Sequence, residues 1–64
     1  MGELFKFRNF VHYVQEGYII DYDGVGEAVD KDGNVIAKIW CDVAWLKKFK
    51  KKHPEATHIR WCNR

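Results

Sequence analysis

Val25-Gly-Glu-Ala-Val29, Asp30-Lys-Asp-Gly-Asn34 and Val35-Ile-Ala-Lys-Ile-Trp40 run consecutively, and these sixteen residues decide the fold. The outer segments are rich in β-branched side chains, which suit a pleated, half-buried surface. The segment between them concentrates Asp, Gly and Asn, residues that accept the backbone geometry of a tight reversal. The reading is a β-hairpin. Upstream, Gly17-Tyr-Ile-Ile-Asp-Tyr22 has the same aromatic and β-branched character and ends at Asp23-Gly24, so it is expected to pair as a third strand.

Downstream of the hairpin the period changes. Asp42-Val-Ala-Trp-Leu-Lys-Lys-Phe-Lys-Lys-Lys-His53 places Val43, Trp45, Leu46, Phe49 and His53 on one side of a helix and Lys47, Lys48, Lys50, Lys51 and Lys52 on the rest. Asp42 is a suitable N-cap, because its carboxylate accepts from the unsatisfied amides of the first turn. The final lysines complement the helix dipole, and Pro54 disfavours helical geometry at His53. Beyond it, Thr57-His-Ile-Arg-Trp-Cys62 alternates, with His58 and Arg60 opposite Ile59 and Trp61. That is a half-buried strand.

The first sixteen residues carry two overlapping patterns. Leu4, Phe7, Val11 and Val14 fall on one helical stripe, with Gly17 placed to end it. Phe5, Phe7, Val11 and Tyr13 also share strand parity. The helix, from about Leu4 to Gln15, is the preferred expectation, and an edge strand is the other. The predicted class is α+β: a single domain over residues 1–64, with an antiparallel sheet of three or four strands, one amphipathic basic helix packed on one face, and an additional N-terminal helix or strand.

Size limits function. A chain of 64 residues buries only about 60% of the surface it exposes when unfolded. Its ten Phe, Tyr and Trp side chains are needed to build that core, and all three tryptophans are expected there. An elaborate substrate pocket would remove much of it, which favours a binding module over an enzyme. There is no leader-like start and no apolar stretch near the roughly 20 residues that span a bilayer, so a cytoplasmic protein with reduced Cys41 and Cys62, without a membrane partner, is expected.

Charge is the main functional clue. Residues 1–40 carry four Lys or Arg against seven Asp or Glu, a net −3, and residues 41–64 carry seven against two, a net +5. Such a split points to an anionic partner or to attraction between the halves. The leading expectation is a non-enzymatic module contacting a polyanion, nucleic acid above all, through Lys47, Lys48, Lys51 and Lys52. Arg60 and Arg64 extend the patch if the last strand lies beside the helix. Trp40 or Trp61, if exposed, would offer a stacking platform. The competing expectation is a protein-interaction module, a small accessory or inhibitory protein or a homodimer, in which Tyr13, Tyr18, Tyr22, Trp40 and Trp61 supply an aromatic interface.

Other motifs are set aside on chemical grounds, and no cofactor or small-molecule substrate is expected. Ile19-Ile-Asp-Tyr-Asp-Gly-Val25 resembles the nucleophile motif of haloacid-dehalogenase-like phosphatases, which would make Asp21 a nucleophile and Asp23 an acid/base with magnesium between them. That resemblance covers seven residues. Those enzymes also use a Ser or Thr, a Lys and further acidic residues on later strands of a doubly wound domain, and this chain has no serine. Cys41, His53, His58 and Cys62 are zinc-ligand types, but they lack the close Cys pair of persuasive zinc motifs. Asp30–Asn34 has calcium-loop composition with its glycine in the wrong place, and is read as a turn.

Overall fold

The computed structural model describes residues 3–20 and 24–63. Six elements follow one another: β1 (Glu3–Lys6), α1 (Phe7–Gln15), β2 (Gly24–Val29), β3 (Val35–Ile39), α2 (Val43–Lys52) and β4 (His58–Asn63). They form a four-stranded sheet with two helices, an α+β fold. Strand order is β1-β4-β2-β3 and every neighbouring pair is antiparallel. The last strand therefore lies between β1 and β2, which are parallel to each other without touching.

The hairpin forms as its turn chemistry dictates. The Asp30 carboxylate accepts from the backbone N–H groups of Asp32 and Asn34, both at 2.9 Å, and Asp30 N–H donates to the Asn34 carbonyl. Gly33 takes the left-handed conformation that closes the turn, with φ +84°. A register shift between Ala28 and Val29 absorbs the mismatch of the five-residue connection.

The two readings of the N-terminus prove to be successive, not alternative. Residues 3–6 are a strand in register with β4, pairing Phe5 with Ile59, and the helix begins only at Phe7, whose N–H donates to the Thr57 carbonyl. Leu4, assigned to the helical stripe, stands instead on β1 and is 61% exposed. Phe7 and Phe10 are the residues that α1 buries.

The expected third strand at 17–22 is corrected for residues 17–20, which form turns and bends; Asp21 and Tyr22 lie outside the described residues. The reason is a Schellman cap. Gly17 adopts φ +83°, its N–H donates to Val14 O, and Tyr18 N–H donates to Tyr13 O. Tyr13 and Tyr18 meet edge to face at 6.3 Å, the apolar contact that accompanies this motif. Backbone groups engaged in a cap do not join a ladder, and the neighbours of β2 are already β3 and β4. Ile19 is buried as a core plug.

Cross-strand pairing puts Phe5, Ile59, Trp61, Gly26, Ala28, Ala37 and Ile39 on one face of the sheet. Both helices bury side chains in one cluster with that face: Phe7 and Phe10 from α1, Leu46 and Phe49 from α2, joined by Ile19 and Ala56. Phe10 leans on Trp61 at 5.5 Å, and Phe7 lies parallel to Phe49 at 6.3 Å. Gly26 is required here, because the Trp61 ring occupies the space a Cβ would take. The opposite face carries Leu4, Val25, Glu27, Lys38 and Arg60, all exposed or half-buried. Trp40, expected in the core, follows β3 and is 61% exposed, so the core uses Trp61 in full and Trp45 in part.

Candidate nucleic-acid interface

Helix α2 starts where the sequence places it. The Asp42 side chain accepts from Trp45 N–H at 2.9 Å. The apolar side divides into two grades of burial: Leu46 and Phe49 enter the core, whereas Val43, Trp45 and His53 stay half-buried at its margin. This division creates a feature that charge counting alone does not show. Trp45, Phe49 and His53, one helical turn apart, form a ladder of rings, with Trp45–Phe49 centroids 5.1 Å apart and 15° between planes and Phe49–His53 centroids 4.6 Å apart.

Lys47, Lys48, Lys51 and Lys52 are exposed along the same helix. Among the described residues none of the four is in an ion pair or hydrogen bond. The acidic half of the chain does not neutralise them there: Glu27 faces Arg60 at 3.9 Å, and Asp30 is engaged in its own turn. Asp21 and Asp23 lie outside the described residues, and with them the phosphatase-like motif. Lys50 differs from its neighbours. Its Nζ donates to the carbonyls of Pro54 and Ala56 and lies 5.4 Å from the centre of the Phe7 ring, so it fastens the helix end to the following turn.

Two open grooves flank α2 and share Lys51. One is lined by Trp45, Lys48, Phe49, Lys51, Lys52 and His53. The other runs between the helices, lined by Phe7, Arg8, Val11, Lys47, Lys50 and Lys51. Among the described residues neither groove has a carboxylate in its lining, but Glu55 Oε2 lies 3.5 Å from Nδ1 of His53, which lines the first. Arg8 joins the basic surface although it stands far away in sequence; only the docking of α1 beside α2 reveals it. An apolar floor with a cationic rim suits an anion that carries a flat or apolar group.

Arg60 does not join this surface. It alternates with the buried Ile59 and Trp61 and stands on the opposite face of the sheet, beside Glu27. Such an exposed pair contributes about 0–1 kcal/mol. Arg64 lies outside the described residues. Trp61 is buried under the helices and Trp40 lines neither groove, so the ring bordering the lysines is Trp45. Among the described residues no group of three or more His, Cys, Asp or Glu converges as a metal site. Among the described residues no helix is long and apolar enough to cross a membrane.

Comparison with known proteins yields no match to a protein-family model, a curated protein or a solved structure.

Proposed function

We propose that the protein is a small binding module that contacts a polyanion, nucleic acid in the first instance, through the α2 surface. One observation carries this reading: Lys47, Lys48, Lys51 and Lys52 stand exposed without ion pairs among the described residues, around grooves with no carboxylate in their described lining. Helix α2 has no Asp or Glu within Val43–Lys52, so these lysines have no intrahelical ion-pair partner. Phosphates that meet these cations release condensed counterions, which makes affinity fall steeply with salt. Arg8 adds a fifth cation from α1.

The test is anisotropy of a labelled oligonucleotide at ~50 to ~200 mM salt, the range over which phosphate-driven binding weakens strongly. Each phosphate contact contributes about 0.7 to 0.9 to the slope of log K against log salt, so replacing all four lysines by Gln reduces the slope by about 3. Absence of binding at ~50 mM overturns the reading.

A second reading is favoured by a separate surface. Leu4, Val25, Val35 and Trp40 are 61%, 56%, 52% and 61% exposed around the helix-free face of the sheet, an apolar content that a protein contact would cover. Lys6, Lys38 and Arg60 lie among them against Glu27. Light scattering separates the two: a dimer that persists at high salt supports self-association, and a monomer argues against it.

A further inference from the structure

The ladder on α2 specifies which form of nucleic acid the surface takes, and this step rests on the polyanion reading above. We infer that the groove lined by Trp45, Lys48, Phe49, Lys51, Lys52 and His53 binds single-stranded nucleic acid, with an unpaired base against the rings and phosphates on the lysines.

The argument starts from what each partner presents. A duplex offers its phosphates outward and keeps its base faces stacked inside, so it meets only the cationic rim. The apolar floor between those cations would then remain unfilled. An unpaired base offers a flat face of its own, and stacking on an aromatic side chain contributes about 1–3 kcal/mol per base whatever the sequence. The groove matches that ligand. Phe49 sits between Trp45 and His53 and is only 8% exposed, so the accessible ring surface belongs to Trp45 and His53, both half-buried. Packing against Phe49 holds both rings in place before any ligand arrives, which lowers the ordering cost of binding. From Trp45 to His53 the helix rises about 12 Å, enough to engage more than one nucleotide. Lys48 and Lys52 follow the same turn spacing as the rings, each three residues after Trp45 or Phe49, so cations accompany the ladder along its length.

The Trp40 ring is more exposed, but it lines neither lysine groove.

The experiment compares three probes of equal length at ~50 mM salt: single-stranded oligo(dT), a duplex, and an abasic single strand that keeps the phosphates and lacks the bases. Oligo(dT) is expected to bind at least about fivefold more tightly than the abasic strand or the duplex, from one or more stacked bases. Trp45→Leu keeps the margin of the core filled while removing the ring, and is expected to lose about 5- to 150-fold for oligo(dT) with little change for the duplex. His53→Ala, at a half-exposed position, provides a second variant should Trp45→Leu fail to fold, with a smaller loss in the same direction. If oligo(dT), the abasic strand and the duplex bind alike, or if folded variants keep full oligo(dT) affinity, the single-strand inference is overturned while polyanion binding stands. If no probe binds, the polyanion reading itself fails.

Discussion

Replacing Gly26 with Ala tests the packing that holds the sheet to the helices. A Cβ at that position would lie 2.7 Å from Trp61 Cε3, 3.0 Å from Ile39 Cδ1 and 3.1 Å from Ile39 Cγ1. Carbon atoms prefer separations of about 3.5–4.0 Å, so the indole must retreat by roughly 1 Å. It has little room to do so, being 5% exposed and covered by Phe10 at 5.5 Å. Overpacking of this kind costs about 1–3 kcal/mol. A gain opposes it: Gly26 is not among the positive-φ glycines, so Ala fits its backbone and stabilises by about 0.4–1 kcal/mol through the unfolded state. The clash wins, and the net loss is about 1–2 kcal/mol. For a domain of this size that lowers Tm by about 4–16 °C. Thermal unfolding followed by circular dichroism measures it. The same substitution in a Trp61→Phe background should cost less, by a coupling of about 1 kcal/mol, because the offending ring edge is gone. Gly33→Ala is the control. Its Cβ meets nothing within 4 Å, but φ is +84°, so its cost of about 1–2 kcal/mol should be independent of residue 61. A Gly26→Ala protein as stable as the parent, or one whose loss is unchanged by Trp61→Phe, would refute the packing argument.

Other outcomes follow from individual hydrogen bonds. Asp42→Ala removes the acceptor for Trp45 N–H and should lower Tm by about 4–8 °C, an effect of about 1 kcal/mol, whereas Asp42→Asn, an equally good cap, should stay near the parent in the same melt. Lys50→Met keeps the stem over Phe7 but abandons the Pro54 and Ala56 carbonyls, and should cost about 1–2 kcal/mol in urea unfolding. Lys51→Met, at an exposed site with no such bonds, should stay within about 0.5 kcal/mol; equal losses for the two would contradict the distinct role assigned to Lys50. The Asp30 carboxyl is held below its ordinary value of 3.8, first by the backbone N–H of Asn34, against the next largest effect, desolvation, which raises it, and further by the Asp32 amide, the Asn34 side chain and the Gly33 amide. Because the folded state favours the charged form, its contribution to stability is present above pH about 4 and is lost as pH falls through the depressed folded value. NMR titration of the Asp30 carboxyl should find a midpoint below 3.8, and Asp30→Asn should flatten the acid limb of the stability curve; a midpoint at or above 3.8 would remove the basis for this.

Much of the fold was legible because its determinants are local. Turn chemistry at Asp30–Asn34, the Asp42 cap, the lysine-rich amphipathic run and the Ile59/Trp61 alternation each act over a few residues, and each appears where the pattern places it. Two errors have a common cause. Leu4 and Phe7 sit on one apparent stripe, and residues 17–22 have strand composition, but propensity does not say which elements find partners. The structure commits residues 3–6 to pairing with β4 and spends the backbone of Gly17 and Tyr18 on capping α1.

The candidate surface divides along the same line. The four exposed lysines of α2 follow from helical periodicity, because a helix that buries Leu46 and Phe49 must turn Lys47, Lys48, Lys51 and Lys52 outward. What surrounds them is tertiary. That Arg8 lines a groove with Lys47 and Lys51, that Arg60 stands across the sheet from both, and that Trp45 and His53 remain partly open while Phe49 closes depend on how α1, α2 and β4 dock. Periodicity determines which side of a helix faces the core, since that is set by 3.6 residues per turn. Which neighbours complete the other side is settled by long-range packing, in which the final strand of the chain inserts between β1 and β2 and sorts every residue of the sheet to one face or the other.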